Sequence, residues 1–168
     1  MNHPAVTPRR LVPLLVALLC SVPALSVAAE NSLQVVRVFT GWREAASFKR
    51  IGEYFDGRER TGGEVILRSQ PAERGGYYFL IRLANPGAAT PATLQLEVVR
   101  PGTPKPQVFS FPTSVPVGST VFNVGLTGAD WPDHEINPVA WRLQVLAADG
   151  QVLATSQSYV WEKPAAGK

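Results

Sequence analysis

From Gly75 to Ala84 the chain reads GGYYFLIRLA. On a pleated backbone Tyr77, Phe79, Ile81 and Leu83 fall on one face, and Tyr78, Leu80 and Arg82 on the other. Both faces are apolar apart from Arg82, the pattern of a central strand covered on both sides, and Asn85, Pro86 and Gly87 end it with turn formers. Leu33 to Thr40 is a shorter, β-branched strand. Between Gly41 and Gly57 the period changes: Ala45, Phe48, Ile51 and Phe55 recur at three or four residues, which predicts a helix near 42–56 with its apolar stripe on the core, although Phe48 to Phe55 also alternates as a strand would. Glu64 to Ser69 predicts a strand forming a hairpin with the central one.

Ala92 to Arg100 alternates most cleanly, with Ala92, Leu94, Leu96 and Val98 inward and Thr93, Gln95 and Glu97 facing solvent. Five prolines between 101 and 116 confine Val108 to Phe111 to a short edge strand or a loop, because proline donates no ladder hydrogen bond. Ser119 to Leu126 alternates again. Val139 to Leu146 and Gln151 to Trp161 flank Asp149 and Gly150, a pair suited to a tight hairpin in which both residues take positive φ.

Seven or eight short strands with turn signals every ten or so residues, and at most one short helix, predict a mainly β chain: a two-sheet antiparallel β-sandwich. The closing segment WRLQVLAADGQVLATSQSYVW resembles the last strands of bacterial immunoglobulin-like or fibronectin-type sandwiches. The resemblance is one of architecture and strand rhythm over Leu33 to Trp161. It implies an immunoglobulin-like fold and no particular activity.

The first residues combine Arg9 and Arg10, an apolar run from Leu11 to Cys20, and small residues at Val27, Ala28 and Ala29, the composition of a secretory signal cleaved before Glu30. The expected organisation is a signal peptide over 1–29, one β-sandwich domain over 30–162 and a tail over 163–168, in an exported compartment, periplasmic or extracellular. Pro13 and Pro23 interrupt the run too often for a membrane span after cleavage, and Leu19 is too large a neighbour for lipid attachment at Cys20. Cys20 is the single cysteine, so the remaining 139 of the 168 residues would hold together by core burial without disulfides. Losing Arg9 and Arg10 takes Lys and Arg from 16 to 14 against 13 Asp and Glu. That near-neutral balance, with acids and bases interleaved, gives no reason to expect nucleic acid as a partner.

The one cluster with the look of a site is the long loop Thr127 to Pro138, where Asp130, Asp133, His134 and Glu135 surround Trp131. His134 is the sole histidine beyond the leader. It lacks an accompanying nucleophile motif, and a single histidine among loop carboxylates is a poor transition-metal set, so no catalytic residue, metal or cofactor is expected. Trp131 either stacks on a ligand, with Asp130, Asp133 and Glu135 as polar contacts, or folds back to cap the open end of the sandwich. The functional reading is a non-catalytic exported module, structural or protein-binding in the cell envelope. The alternatives are a carbohydrate-binding module built on Trp131 and the nearby carboxylates, with Trp42, Tyr77, Tyr78 and Trp161 as further flat faces, and an unrecognised hydrolase. The sequence does not identify a partner; an envelope protein and a glycan are the candidates.

Overall fold

The computed structural model describes residues 32–162. The expected signal peptide with its cleavage before Glu30, and the expected tail over 163–168, lie outside the described residues. Eight strands run in the order β1 (Gln34–Arg43), β2 (Val65–Arg68), β3 (Gly76–Asn85), β4 (Thr90–Arg100), β5 (Thr103–Val115), β6 (Gly118–Thr127), β7 (Ala140–Ala147) and β8 (Val152–Gln157). They form two four-stranded sheets, ordered β1-β3-β6-β2 and β5-β4-β7-β8. The inward side chains of β3, β4, β6 and β7 make one core, with Phe79, Ile81, Leu94, Leu96, Phe122, Val124 and Leu143 fully buried. The mainly β, two-sheet sandwich expected from the alternation is what the chain forms, and every strand pair but one is antiparallel.

The exception corrects the expected β2–β3 hairpin. β2 pairs with β6, in parallel, with Val65 opposite Phe122 and Arg68 opposite Gly125. Buried Thr127 at the end of β6 explains the choice: its Oγ1 accepts from Gln70 N at 3.1 Å and donates to Gln70 O at 3.0 Å, while Thr127 N donates to Ser69 Oγ at 3.0 Å. The chain leaving β2 is thus fastened to β6, and residues 69–75 carry it to the start of β3. There Gly76 faces Thr127 so closely that a Cβ would lie 2.2 Å from Leu126 O.

The stripe between 41 and 57 is not one helix. β1 continues through Trp42 and Arg43, a 3-10 turn covers Ala45–Phe48, and α1 is the single turn Glu53–Asp56. Only Phe48 of the predicted stripe is buried. β5 is also longer than its prolines suggested. Pro104, Pro106 and Pro112 all occupy even positions of an edge strand whose odd residues Phe109, Phe111 and Val115 face inward. Residues of one parity direct their N–H groups away from the single neighbour β4, so these prolines cost the ladder nothing. At the last hairpin Gly150 alone takes positive φ, at 84°, and Asp149 instead accepts from Gln151 N through Oδ1 at 3.0 Å. On β4, Glu97 is covered rather than free: Arg142 of β7 donates to it through Nε and Nη2 at 3.0 and 2.6 Å.

Trp131 closes one end of the sandwich. It is 2% exposed, its ring lies 5.3 Å from Tyr77, and its Nε1 donates to Ile136 O at 3.0 Å. Truncating a buried aromatic removes its transfer energy and leaves a cavity, so Phe79→Ala and Trp131→Ala should each cost about 3 to 5 kcal/mol in urea unfolding. Thr155→Ala, on the exposed side of β8, should stay within about 0.5 kcal/mol. A loss at Trp131 no larger than at Thr155 would mean that its ring is not packed.

Candidate functional site

The loop that the sequence singles out splits into a packed half and a solvated half. Trp131 is not an open stacking surface, because Tyr77 lies against it and the Arg100 guanidinium lies 4.5 Å from its ring centroid. Burial pulls Arg100 below its usual pKa, an effect the nearby Asp130 opposes, and Arg100 Nε is enclosed without a hydrogen-bond partner. The hollow that Arg100 and Trp131 share with Pro132, Asp133 and Ile136 holds about 70 Å³, well below the several hundred of a small-molecule site. Asp133 is exposed and accepts from Glu135 N at 2.9 Å, a turn-forming bond. His134 and Glu135 are exposed, with Nε2 and Oε1 4.0 Å apart, and His134 sits 6.1 Å from Trp42. The structure therefore brings the five residues into one loop without converging their polar atoms on a shared point. No cluster of three or more metal-ligating side chains occurs among the described residues. Of the other aromatic faces, Tyr77 and Tyr78 are buried, Trp42 is half-buried and donates to Glu44, and the Arg142 guanidinium lies 5.0 Å from the ring of half-buried Trp161.

The outer face of the β1-β3-β6-β2 sheet offers more. Across it run Gly41, Tyr78, Gly125 and Arg68; then Phe39, Leu80, Asn123 and Ile66; then Arg37, Arg82 and Val121. At one end the tyrosine ring lies flat over Gly125, where a Cβ would come within 2.4 Å of it. This lets Tyr78 Oη donate to Arg74 O at 2.7 Å and accept from Arg68 Nε at 3.1 Å. Phe48 packs on Tyr78 at 4.7 Å between two guanidiniums, Arg43 at 4.4 Å and Arg68 at 5.3 Å from its ring centroid. Burial pushes the Tyr78 hydroxyl up, and the bond from Arg68 opposes this.

Residues 44–64 cover this end and are held there by carboxylates. Glu53 Oε1 accepts from the backbone N–H groups of Arg60 at 3.0 Å and Arg50 at 3.3 Å, and Oε2 accepts from Arg74 Nη1 at 2.6 Å. These bonds, led by that from Arg60 N, hold the Glu53 carboxyl at about 2, against an ordinary value of 4.5. Glu59 receives both Arg68 terminal nitrogens, at 3.0 and 2.5 Å, and is held below its usual range mainly by that bond.

At the other end the face is open. Val36, Phe39, Leu80 and Val121, with Arg37 and Arg82, line a groove of about 370 Å³. Val36 and Phe39 are 55% and 60% exposed. Arg37 and Arg82 are direct cross-strand partners on neighbouring strands, a like-charge pairing that ordinarily destabilises a sheet. No acidic side chain lines the groove, and none is ion-paired with either arginine among the described residues. Alternation alone hides this groove, since its residues occupy the outward positions of strands whose inward positions build the core. The usable signal was the apolar outward set Phe39, Leu80 and Val121.

Two four-stranded sheets packed on a single core make the chain a β-sandwich of immunoglobulin-like architecture. Among solved structures it is similar to an immunoglobulin-like protein from Pseudomonas aeruginosa, at 20% sequence identity over 77% of this chain and 96% of that one, with a TM-score of 0.32. No protein-family model matches the chain, and no curated protein sequence matches it.

The Glu53 geometry sets a pH dependence. Its folded pKa lies below the unfolded value, so the carboxylate's contribution is fully present above about pH 4.5 and is lost as pH falls through that value towards about 2. Glu53→Gln should lower the melting temperature at neutral pH and shrink the fall in stability across this acid window. A variant that melts like the unmutated protein at pH 7 and retains the whole acid dependence would show that the carboxylate does not hold the segment.

Proposed function

We propose that this β-sandwich is a non-catalytic, exported module of the cell envelope that binds another protein through the open groove on the outer face of the β1-β3-β6-β2 sheet. The leader-like composition of residues 1–29 supports export. The observation that carries the binding reading is the Arg37/Arg82 pair: two arginines directly opposite each other on neighbouring strands, the Arg37 guanidinium 5.2 Å from the Phe39 ring centroid, beside an apolar floor of Phe39, Leu80 and Val121, with no acid in the lining. The occupant that fits is an extended segment with an aliphatic or aromatic residue for the floor and a carboxylate placed between the arginines. Guanidinium–carboxylate bonds are stronger than neutral ones and would relieve the cross-strand repulsion on binding. The floor supplies apolar burial, and the arginines supply orientation and selection. The carbohydrate alternative has less support, because the Trp131 ring it relied on is packed inside the sandwich.

Display of random peptides against the purified protein tests this. The unmutated chain should enrich sequences with Asp or Glu near a large apolar residue. Arg37→Glu/Arg82→Glu should reverse the charge preference while leaving the melting temperature within a few degrees. Loss of a floor contact in Phe39→Ala should weaken the selected peptides about tenfold or more. No enrichment, or the same preference in the charge-reversed variant, would contradict the proposal.

A further inference from the structure

The segment covering Tyr78 contains a turn whose polarity is inverted. Ile51, Tyr54 and Phe55 are 80%, 74% and 86% exposed, whereas Glu53 among them is 9% exposed. At about 100° per residue, positions 51, 54 and 55 share the side of a helical turn opposite position 53. A surface helix ordinarily turns its apolar stripe inward. Here a carboxylate faces the protein, and two aromatic rings and an isoleucine face water.

The inversion is built into the backbone. Three hydrogen bonds fix the Glu53 carboxylate, as described above. Gly57 closes the turn at φ 68°, a left-handed conformation that suits glycine, with its N–H donating to Glu53 O at 2.9 Å. Three large apolar side chains within five residues are thereby held in solvent, an arrangement that marks a contact surface.

The charges around the turn select the kind of surface. From Glu53 to Glu64 each acid is taken by an arginine: Glu53 by Arg74, Asp56 by Arg60, Glu59 by Arg68 and Glu64 by Arg50, while Glu44, at the start of the segment, accepts from Trp42 Nε1 instead. Lys49 and Arg58 have no acidic partner among the described residues, and Lys49 Nζ lies 5.8 Å from the Tyr54 ring centroid. The tip therefore presents apolar and aromatic groups flanked by uncompensated cations. That combination matches the boundary between headgroups and acyl chains in an anionic bilayer, where aromatic rings settle at the interface and lysine and arginine meet phosphate.

We propose that Ile51, Tyr54 and Phe55 form an insertion tip that docks the protein reversibly on an anionic lipid surface, with Lys49 and Arg58 contacting the headgroups. The tip is separate from the Arg37/Arg82 groove, and neither reading depends on the other. A single short tip of this kind gives weak, salt-sensitive binding rather than permanent anchoring.

The test places an environment-sensitive bimane label at position 55 (Phe55→Cys) or, as a control on the opposite sheet, at position 114 (Ser114→Cys), each in a Cys20→Ser background of the full chain. Vesicles of phosphatidylcholine with phosphatidylglycerol, carrying lipid-borne nitroxide quenchers, should quench the label at 55 several-fold more than the label at 114. Quenching at 55 should fall in pure phosphatidylcholine and in Lys49→Glu/Arg58→Glu, and on raising salt from about 0.1 M to about 1 M, which shortens the screening length from about 10 Å to about 3 Å. Attachment through the leader alone would leave position 55 no more quenched than position 114, and that result overturns the proposal. A label at 55 that responds to an added protein but not to vesicles overturns it too, and reassigns the tip to a protein contact.

Discussion

A tyrosine ring lying across a neighbouring strand at a position without a side chain organises one end of the outer sheet face of this protein. Gly125 leaves the space, Tyr78 fills it, and the ring becomes a platform that must be covered because it presents apolar surface on the outer side of the sheet. Phe48 supplies the cover. Bringing Phe48 back over the sheet from the end of β1 requires the chain to leave at Arg43 and return at Val65, so residues 44–64 become a surface layer with little core of their own.

Such a layer needs polar fastening. Glu53 accepts two backbone N–H groups and one guanidinium, and Glu59 takes the bidentate Arg68, whose side chain is only 8% exposed. Buried ion pairs repay their desolvation only when the geometry is good and the remaining groups are bonded, and their surest contribution is to fix one arrangement over others. Here they fix which way the turn faces. Glu53 inward forces Ile51, Tyr54 and Phe55 outward, so the inner polarity of the covering segment and its exposed tip have one cause.

Most of the sandwich was legible in the sequence: β4, β6 and β7 carry the period-2 pattern that burial of one face writes into a chain, and β3 reads as an apolar run bounded by turn formers. Pairing was less legible. β2 looks like a hairpin partner of β3, and its attachment to β6 depends on the Thr127 side chain, 57 residues from Gln70, which no local pattern reports. The stripe Ala45, Phe48, Ile51 and Phe55 has helical spacing but not a common environment, since Phe48 is anchored on Tyr78 while Ile51 and Phe55 are held out by Glu53. Periodicity shows that residues share a side and leaves open which side is buried. At Trp131 the choice between stacking surface and cap turned on the ring's partners, Tyr77 and Arg100, which come from β3 and β4. The outward apolar set Phe39, Leu80 and Val121 was a signal for the groove, but the pairing of Arg37 with Arg82 was not legible because the β1 bulge between Val35 and Arg37 sets its register.

Hydrogen exchange at single amides tests most directly whether the Glu53 carboxylate holds the covering segment in place. The backbone N–H of Arg60 has the carboxylate as its acceptor. In the unmutated protein it should exchange as slowly as the Gly57 N–H inside the turn. In Glu53→Gln it should exchange far faster, while the Phe79 amide in β3 stays protected. An Arg60 amide that exchanges at the free rate in the unmutated protein, or that is equally protected in the variant, would contradict the fastening of the segment by Glu53.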